Sequence, residues 1–190
     1  MATRPTSDRL RETLFNVLAP RIRGAALLDL YAGSGAVGIE ALSRGAAAVA
    51  FIERAPAATA VLRGNLERLG IRAGFHIHAA AVGAWLRRGK AGTATKKAEV
   101  FDLVFLDPPW DAEAEYASTL GLLGGAAAGM LAAGALVIAE HRRKQALEAR
   151  YGRLERTRLL EQGDAALSFY ALGAGEPTTE SLQRQELQNS

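Results

Sequence analysis

A chain of 190 residues, 49% hydrophobic and 23% charged, has the length of one compact domain and the balance of an ordinary globular one. It has no cysteine, which excludes a disulfide framework and a thiolate metal site, and no apolar run long enough for a membrane span or a signal peptide. The net charge of +3 is uneven, since residues 174–190 hold three Glu and one Arg, while the first 23 residues hold five Arg (Arg4, Arg9, Arg11, Arg21, Arg23) against Asp8 and Glu12.

That basic front is a mild sign of a polyanionic partner, and a solvated helix face explains the charge equally well. Thr6-Ser7 after Pro5 reads as a helix start, with either hydroxyl able to cap. Leu10, Leu14, Val17 and Leu18 recur at helical spacing, and Pro20 ends the pattern. Short apolar runs and helical stretches then alternate. Strands are expected at 26–30, 48–53, 74–80, 100–106 and 135–140, and helices at 35–45, 57–69, 83–88, 116–131 and 142–151. Two further runs, 154–160 and 165–172, joined by Glu161-Gln-Gly163-Asp164, read as a hairpin. Alternation of this kind implies an α/β fold, a parallel sheet covered on both faces, with the hairpin adding an antiparallel strand. Residues 89–99 read as a polar loop and residues 174–190 as a disordered tail, which leaves 1–173 as the domain.

Gly33-Ser-Gly35-Ala-Val-Gly38 follows the first strand and opens a helix, with Glu53 some twenty residues on. This is the dinucleotide fingerprint, with an acid placed for a ribose hydroxyl. By itself it fits NAD and S-adenosylmethionine equally. Asp29, at the carboxyl end of the first strand, tips the balance, because a carboxylate repels a pyrophosphate and attracts the ammonium of a methionine moiety. The alternative role for Asp29 is to partner the helix N-terminus.

Asp107-Pro108-Pro109-Trp110 closes the fourth strand. An exocyclic base amine is a poor nucleophile because its lone pair is delocalised into the ring. Acceptors on its two N–H bonds turn that lone pair toward an incoming methyl carbon. Ionised Asp107 only accepts, and the Pro108 carbonyl is a second acceptor on a backbone stiffened by two prolines that offer no N–H. Trp110 is a face on which a base can stack. The bland reading of the turn is a rigid corner with a hydrophobic plug. His76, His78 and His141 lack metal-ligand spacing, so no metal is expected.

Arg4-Pro-Thr-Ser-Asp-Arg9, the block from Asp29 to Gly45 and the Asp-Pro-Pro-Trp turn together resemble the RsmD family, over about residues 4–172. Asp-Pro-Pro-aromatic is the less specific part, being shared with adenine-N6 methyltransferases. The resemblance implies a Rossmann-like class I methyltransferase fold. Its mostly parallel seven-stranded sheet has order 3-2-1-4-5-7-6, with strand seven antiparallel and helices on both faces. It implies methyl transfer from S-adenosylmethionine to the N2 amine of a guanine in small-subunit (16S) ribosomal RNA, free or in an assembly intermediate. A cytoplasmic monomer is the default.

By that resemblance Asp29, Tyr31, Ala32, Gly33, Ser34, Gly35, Glu53, Arg54, Ala80, Ala81 and Asp107 form the cofactor site. Asp107, Pro108, Pro109 and Trp110 form the catalytic turn, and Arg4, Thr6, Arg11 and Trp110 meet the substrate, with residues 1–23 lying over the cofactor cleft. Two departures stand out. Only Met1, Ala2 and Thr3 precede the Arg-Pro-Thr segment, where the family usually carries a basic extension. The strand-three acid that commonly meets the adenine is replaced by His78-Ala-Ala-Ala81. Competing readings are an adenine-N6 methyltransferase, an NAD-dependent oxidoreductase and a non-catalytic RNA-binding domain.

Overall fold

A computed structural model describes residues 5–89, 99–109 and 112–173. Helix α1 (Pro5–Ile22) leads into β1 (Ala26–Leu30), α2 (Ala36–Ser43), β2 (Ala48–Glu53), α3 (Pro56–Arg68), β3 (Phe75–Ala79), α4 (Val82–Gly89) and β4 (Phe101–Leu106). Then follow α5 (Glu113–Gly124), a 3-10 turn (Ala128–Met130), and β5 (Leu131–Arg142), β6 (Arg150–Tyr151), β7 (Leu154–Gln162) and β8 (Ala165–Leu172). The strands form one sheet in the order β3-β2-β1-β4-β5-β8-β7-β6. Strands β1 to β5 run parallel, and β8 pairs antiparallel with both β5 and β7. This is the expected class I methyltransferase order, with β7 and β8 as the expected sixth and seventh strands and a two-residue edge strand, β6, added.

Because successive strand residues point to opposite faces, the sheet has two cores. Leu28, Leu30, Val104, Leu106 and Val137 pack under α4 and α5 with Leu86, Tyr116 and Leu120. Leu27, Leu103, Phe105 and Ile138 face the other way, against Leu10, Leu14 and Leu18 of α1, Ala41 of α2 and Leu62 of α3. Helix α1 is tied to the C-terminal hairpin by Thr13 Oγ1 donating to Gln162 Oε1 at 2.9 Å.

Three expectations need correction. Pro20 does not end α1, which runs on to Ile22. Pro20 and Asn16, whose carbonyl loses its intrahelical partner, both lie on the exposed face, and burying Ile22 offsets that loss. The single helix expected at 116–131 spans Glu113–Gly124 instead, and Gly124 packs so close to the Tyr151 backbone that a Cβ there would strike it; β5 then starts at Leu131. No helix forms at 142–151. That segment's backbone is used by the hairpin instead: Arg156 N–H donates to Ala149 O at 2.8 Å, Arg143 N–H to Asp164 O at 2.8 Å and Tyr170 Oη to Glu148 O at 2.9 Å. Tertiary partners have overridden a run of good helix formers.

Candidate active site

Strand order reverses between β1 and β4, and in open sheets of this kind the crevice beyond the strand ends at that point is where ligands bind. A cavity of about 560 Å³ lies there. Tyr31, Gly33, Glu53, Arg54, Ala80, Ala81, Asp107, Pro108 and Pro109 line it, so residues of four separate chain segments meet there. Ala32, Ser34 and Gly35 do not line it, and Ser34 is exposed. Arg4 and Trp110 lie outside the described residues, as does the side chain of Thr6.

The glycine turn is held from two sides. Glu53 accepts the Gly33 N–H on Oε2 at 2.9 Å and the Ala55 N–H on Oε1 at 2.7 Å. Gly35 has φ 80, and a Cβ there would overlap Leu62. A Cβ at Gly33 would instead meet almost nothing, only the Tyr31 carbonyl at 3.9 Å, and this residue borders the cavity. Tyr31 is the one non-glycine residue with positive φ (61) among the described residues. Its hydroxyl sits 2.8 Å from Glu115 Oε2 and 2.7 Å from Thr119 Oγ1, which anchors β1's exit to α5. A backbone this sparsely populated persists when its surroundings over-determine it.

Asp29 is 2% exposed. Its Oδ2 accepts the Gly38 N–H at 2.9 Å in the first turn of α2, the helix-terminus role weighed against cofactor binding in the sequence, and it does not line the cavity. Burial pushes its carboxyl up to about 8; the Gly38 N–H opposes the shift, and the Asp107 and Glu53 charges add to it.

Asp107 leaves β4 with Oδ1 buried and without a hydrogen-bond partner, and burial raises its carboxyl well above the usual carboxylate range. In the turn that follows, the Pro109 carbonyl accepts the Ala112 N–H at 2.8 Å. Ionised, that oxygen can accept from a donor group entering the cavity.

Four residues near this crevice have no signal in the sequence motifs. Glu115 and Ser118 of α5 and Arg87 of α4 line the cavity and become visible only once the helices are docked. Glu140 is the fourth, and it stands beside Asp107 without lining the cavity. Parallel pairing sets Leu106 opposite Ala139, which brings the next residues, Asp107 and Glu140, side by side. Burial and the Asp107 charge raise the Glu140 carboxyl, while Arg11 of α1 opposes the shift. Counting the register from the fourth and fifth strands would have found it.

Residues 1–171 match the family described as Conserved hypothetical protein 95. The chain is 33% identical to YlbH of Bacillus subtilis over 169 residues, 89% of this chain and 88% of that protein. It is 42% identical to the Escherichia coli ribosomal RNA small subunit methyltransferase D over 107 residues, 56% of this chain and 50% of that one. The solved structure of yhhF from Escherichia coli superposes with a TM-score of 0.75 at 34% identity, covering 90% of this chain and 89% of the other. With the switch-point cavity, the glycine turn and the Asp107 corner in the places the motifs implied, the chain belongs to this family of RsmD-type methyltransferases.

Proposed function

We propose that residues 1–173 transfer a methyl group from S-adenosylmethionine to the exocyclic N2 amine of a guanine in small-subunit ribosomal RNA. The observation that carries this reading is the buried Oδ1 of Asp107, without a partner among the described residues, beside a cavity lined by Glu53, Asp107 and Glu115 together with Arg54 and Arg87.

The cavity's chemistry fits this cofactor and opposes a dinucleotide. A pyrophosphate is bound by free N–H groups at a helix N-terminus, but here Asp29 has taken the Gly38 N–H and Glu53 the Gly33 N–H. Asp29, Glu53 and Asp107 crowd one another closely enough that the latter two raise the Asp29 carboxyl. Such a cluster is relieved by a ligand bearing cations and no phosphate. Asp29 and Asp107 supply the field for the sulfonium and ammonium, and the open side of Gly33 admits close approach of the methionine portion. Glu53, with lone pairs left after two backbone bonds, accepts from the ribose. Tyr31 and Arg54 wall the cleft, and Ala80 and Ala81 border the adenine.

When bound, S-adenosylmethionine supplies a methyl carbon activated by its sulfonium, whose C–S bond breaks as the N–C bond forms. Asp107 Oδ1 accepts one amine N–H and orients the lone pair. The Pro108 carbonyl accepts the other, the Pro109 carbonyl being engaged by Ala112. Trp110 stacks the base, and Arg4, Thr6 and Arg11 meet the RNA. After transfer the methylated amine carries an extra proton, and a carboxylate whose affinity for protons has been raised by burial can receive it. Positioning of the two partners is worth about 7–11 kcal/mol, so no further catalyst is needed.

Tritiated S-adenosylmethionine offered with small ribosomal subunits, naked ribosomal RNA and duplex DNA, followed by nucleoside digestion, tests the reading. Label in N2-methylguanosine from small-subunit RNA is expected. Label in N6-methyladenine overturns the guanine assignment, and binding of NAD with none of S-adenosylmethionine overturns the whole.

A further inference from the structure

Glu140 is an acid that the reaction outlined above does not use, yet it stands next to the group that the reaction needs most. It is half-buried two residues before the end of β5, one residue beyond the Leu106–Ala139 pair and therefore alongside Asp107. Its backbone is pinned, since Tyr116 Oη donates to the Glu140 carbonyl at 2.8 Å, and the flanking Ala139 and His141 are paired to Ser168 and Ala166 of β8. Strand alternation sends its side chain to the same face as Ile138, the face packed by α1, where Arg11 lies close enough to stabilise its charge.

Two carboxylates side by side repel, and burying a second one beside Asp107 costs stability unless something donates to it. A purine with two adjacent donors on one edge removes that cost. Guanine has such an edge, with N1–H next to the N2 amine. Adenine does not, because its N1 is an acceptor beside the N6 amine. Resting on the guanine-N2 reading of the site, we infer that Glu140 is the specificity-determining residue that accepts the guanine N1–H while Asp107 holds the N2 amine.

Once ionised, Glu140 facing N1 of adenine would meet a lone pair with a negative charge, so discrimination against adenine should sharpen as pH rises through the raised carboxyl. Arg11, from the helix over that face, favours the ionised form of Glu140 against the burial that opposes it. Sites built to bond a substrate N–H reject analogues lacking it by about 10⁴–10⁵ at best.

The test uses 2-aminopurine riboside, which keeps the 2-amine of guanosine and replaces N1–H by an acceptor. Small-subunit particles are reconstituted with guanosine or 2-aminopurine riboside at the position the wild-type enzyme labels, and kcat/KM is measured for wild type, Glu140→Gln and Glu140→Ala. The intrinsic reactivities of the two amines cancel when the guanosine-to-analogue ratio is compared between enzymes.

Wild type is expected to prefer guanosine by about 10²-fold or more, and Glu140→Gln, whose amide can donate to the analogue's N1, to narrow that preference at least about tenfold. Affinity for S-adenosylmethionine, measured by calorimetry, should stay unchanged. An unaltered ratio, or equal loss on both substrates, overturns the role given to Glu140. Failure of the wild-type enzyme to label any guanine N2 instead overturns the reading of the reaction itself, so the two failures are distinct.

Discussion

Asp107 is placed by β4 so that one carboxylate oxygen is buried without a partner at the cavity wall. Replacing it by Asn keeps the shape but substitutes an N–H₂ for one acceptor. Turnover of Asp107→Asn is expected to fall about 10²–10³-fold, the size of losing one preorganised polar contact to a reacting group. Cofactor affinity should fall far less than turnover, and single-turnover kinetics beside calorimetry separate the two. Ionised Asp107 is the useful form, and its raised carboxyl means that kcat/KM of the wild type climbs as pH rises toward and through neutrality. A variant that keeps most of its turnover removes Asp107 from the chemistry. At this scale the sequence was legible where a residue type has few other uses, as with Asp107 between a strand and two prolines. Asp29 was legible in position, at the mouth of the first strand, and its bond to the Gly38 N–H emerged only with the helix in place.

The elements show why the glycine turn has the form it has. Gly35 combines φ 80 with a Cβ position already filled by Leu62 of α3, so it serves both the turn and the docking of α2 against α3. Gly35→Ala is expected to lose about 2–4 kcal/mol, from a left-handed backbone and an overfilled contact together, read as a lower midpoint in urea unfolding. Gly33 shares the left-handed backbone, with φ 55, but has no packing neighbour at its Cβ, so Ala there should cost less stability than at Gly35 while lowering cofactor affinity; equal losses of stability at both positions contradict this division of labour. Strand and helix order from β1 to β4 was readable because hydrophobic period and glycine punctuation agree there. Residues 142–151 misled, since their helix-forming composition competes with hydrogen bonds to β7 and β8 that no local window contains.

For the molecule as a whole, the buried acids at the sheet's carboxyl edge couple stability, pH and cofactor. Asp29 is pushed up to about 8, and Asp107 and Glu140 are raised as well. The cofactor-free fold therefore keeps protons that the unfolded chain releases near pH 4. Where the native state binds more protons, stability falls as pH rises, so the thermal midpoint of the cofactor-free protein should decline from about pH 4.5 and level off above about pH 8. A cationic cofactor draws the carboxyls back toward ionisation, which flattens that slope and releases protons on binding. Calorimetry at pH 7 in buffers of different ionisation heat detects the release, and a midpoint that rises with pH without proton release on binding contradicts the coupling. The sequence by itself determined the α/β alternation, the glycine turn, the Asp107 corner and the family, because these depend on local period and on residues with few alternative uses. Only the tertiary structure decided that Glu140 stands beside Asp107, that Glu115 holds Tyr31, and that Asp29 spends its carboxylate on a helix. Those pairings are set by sheet register and helix docking, whose energies come from residues far apart in the chain.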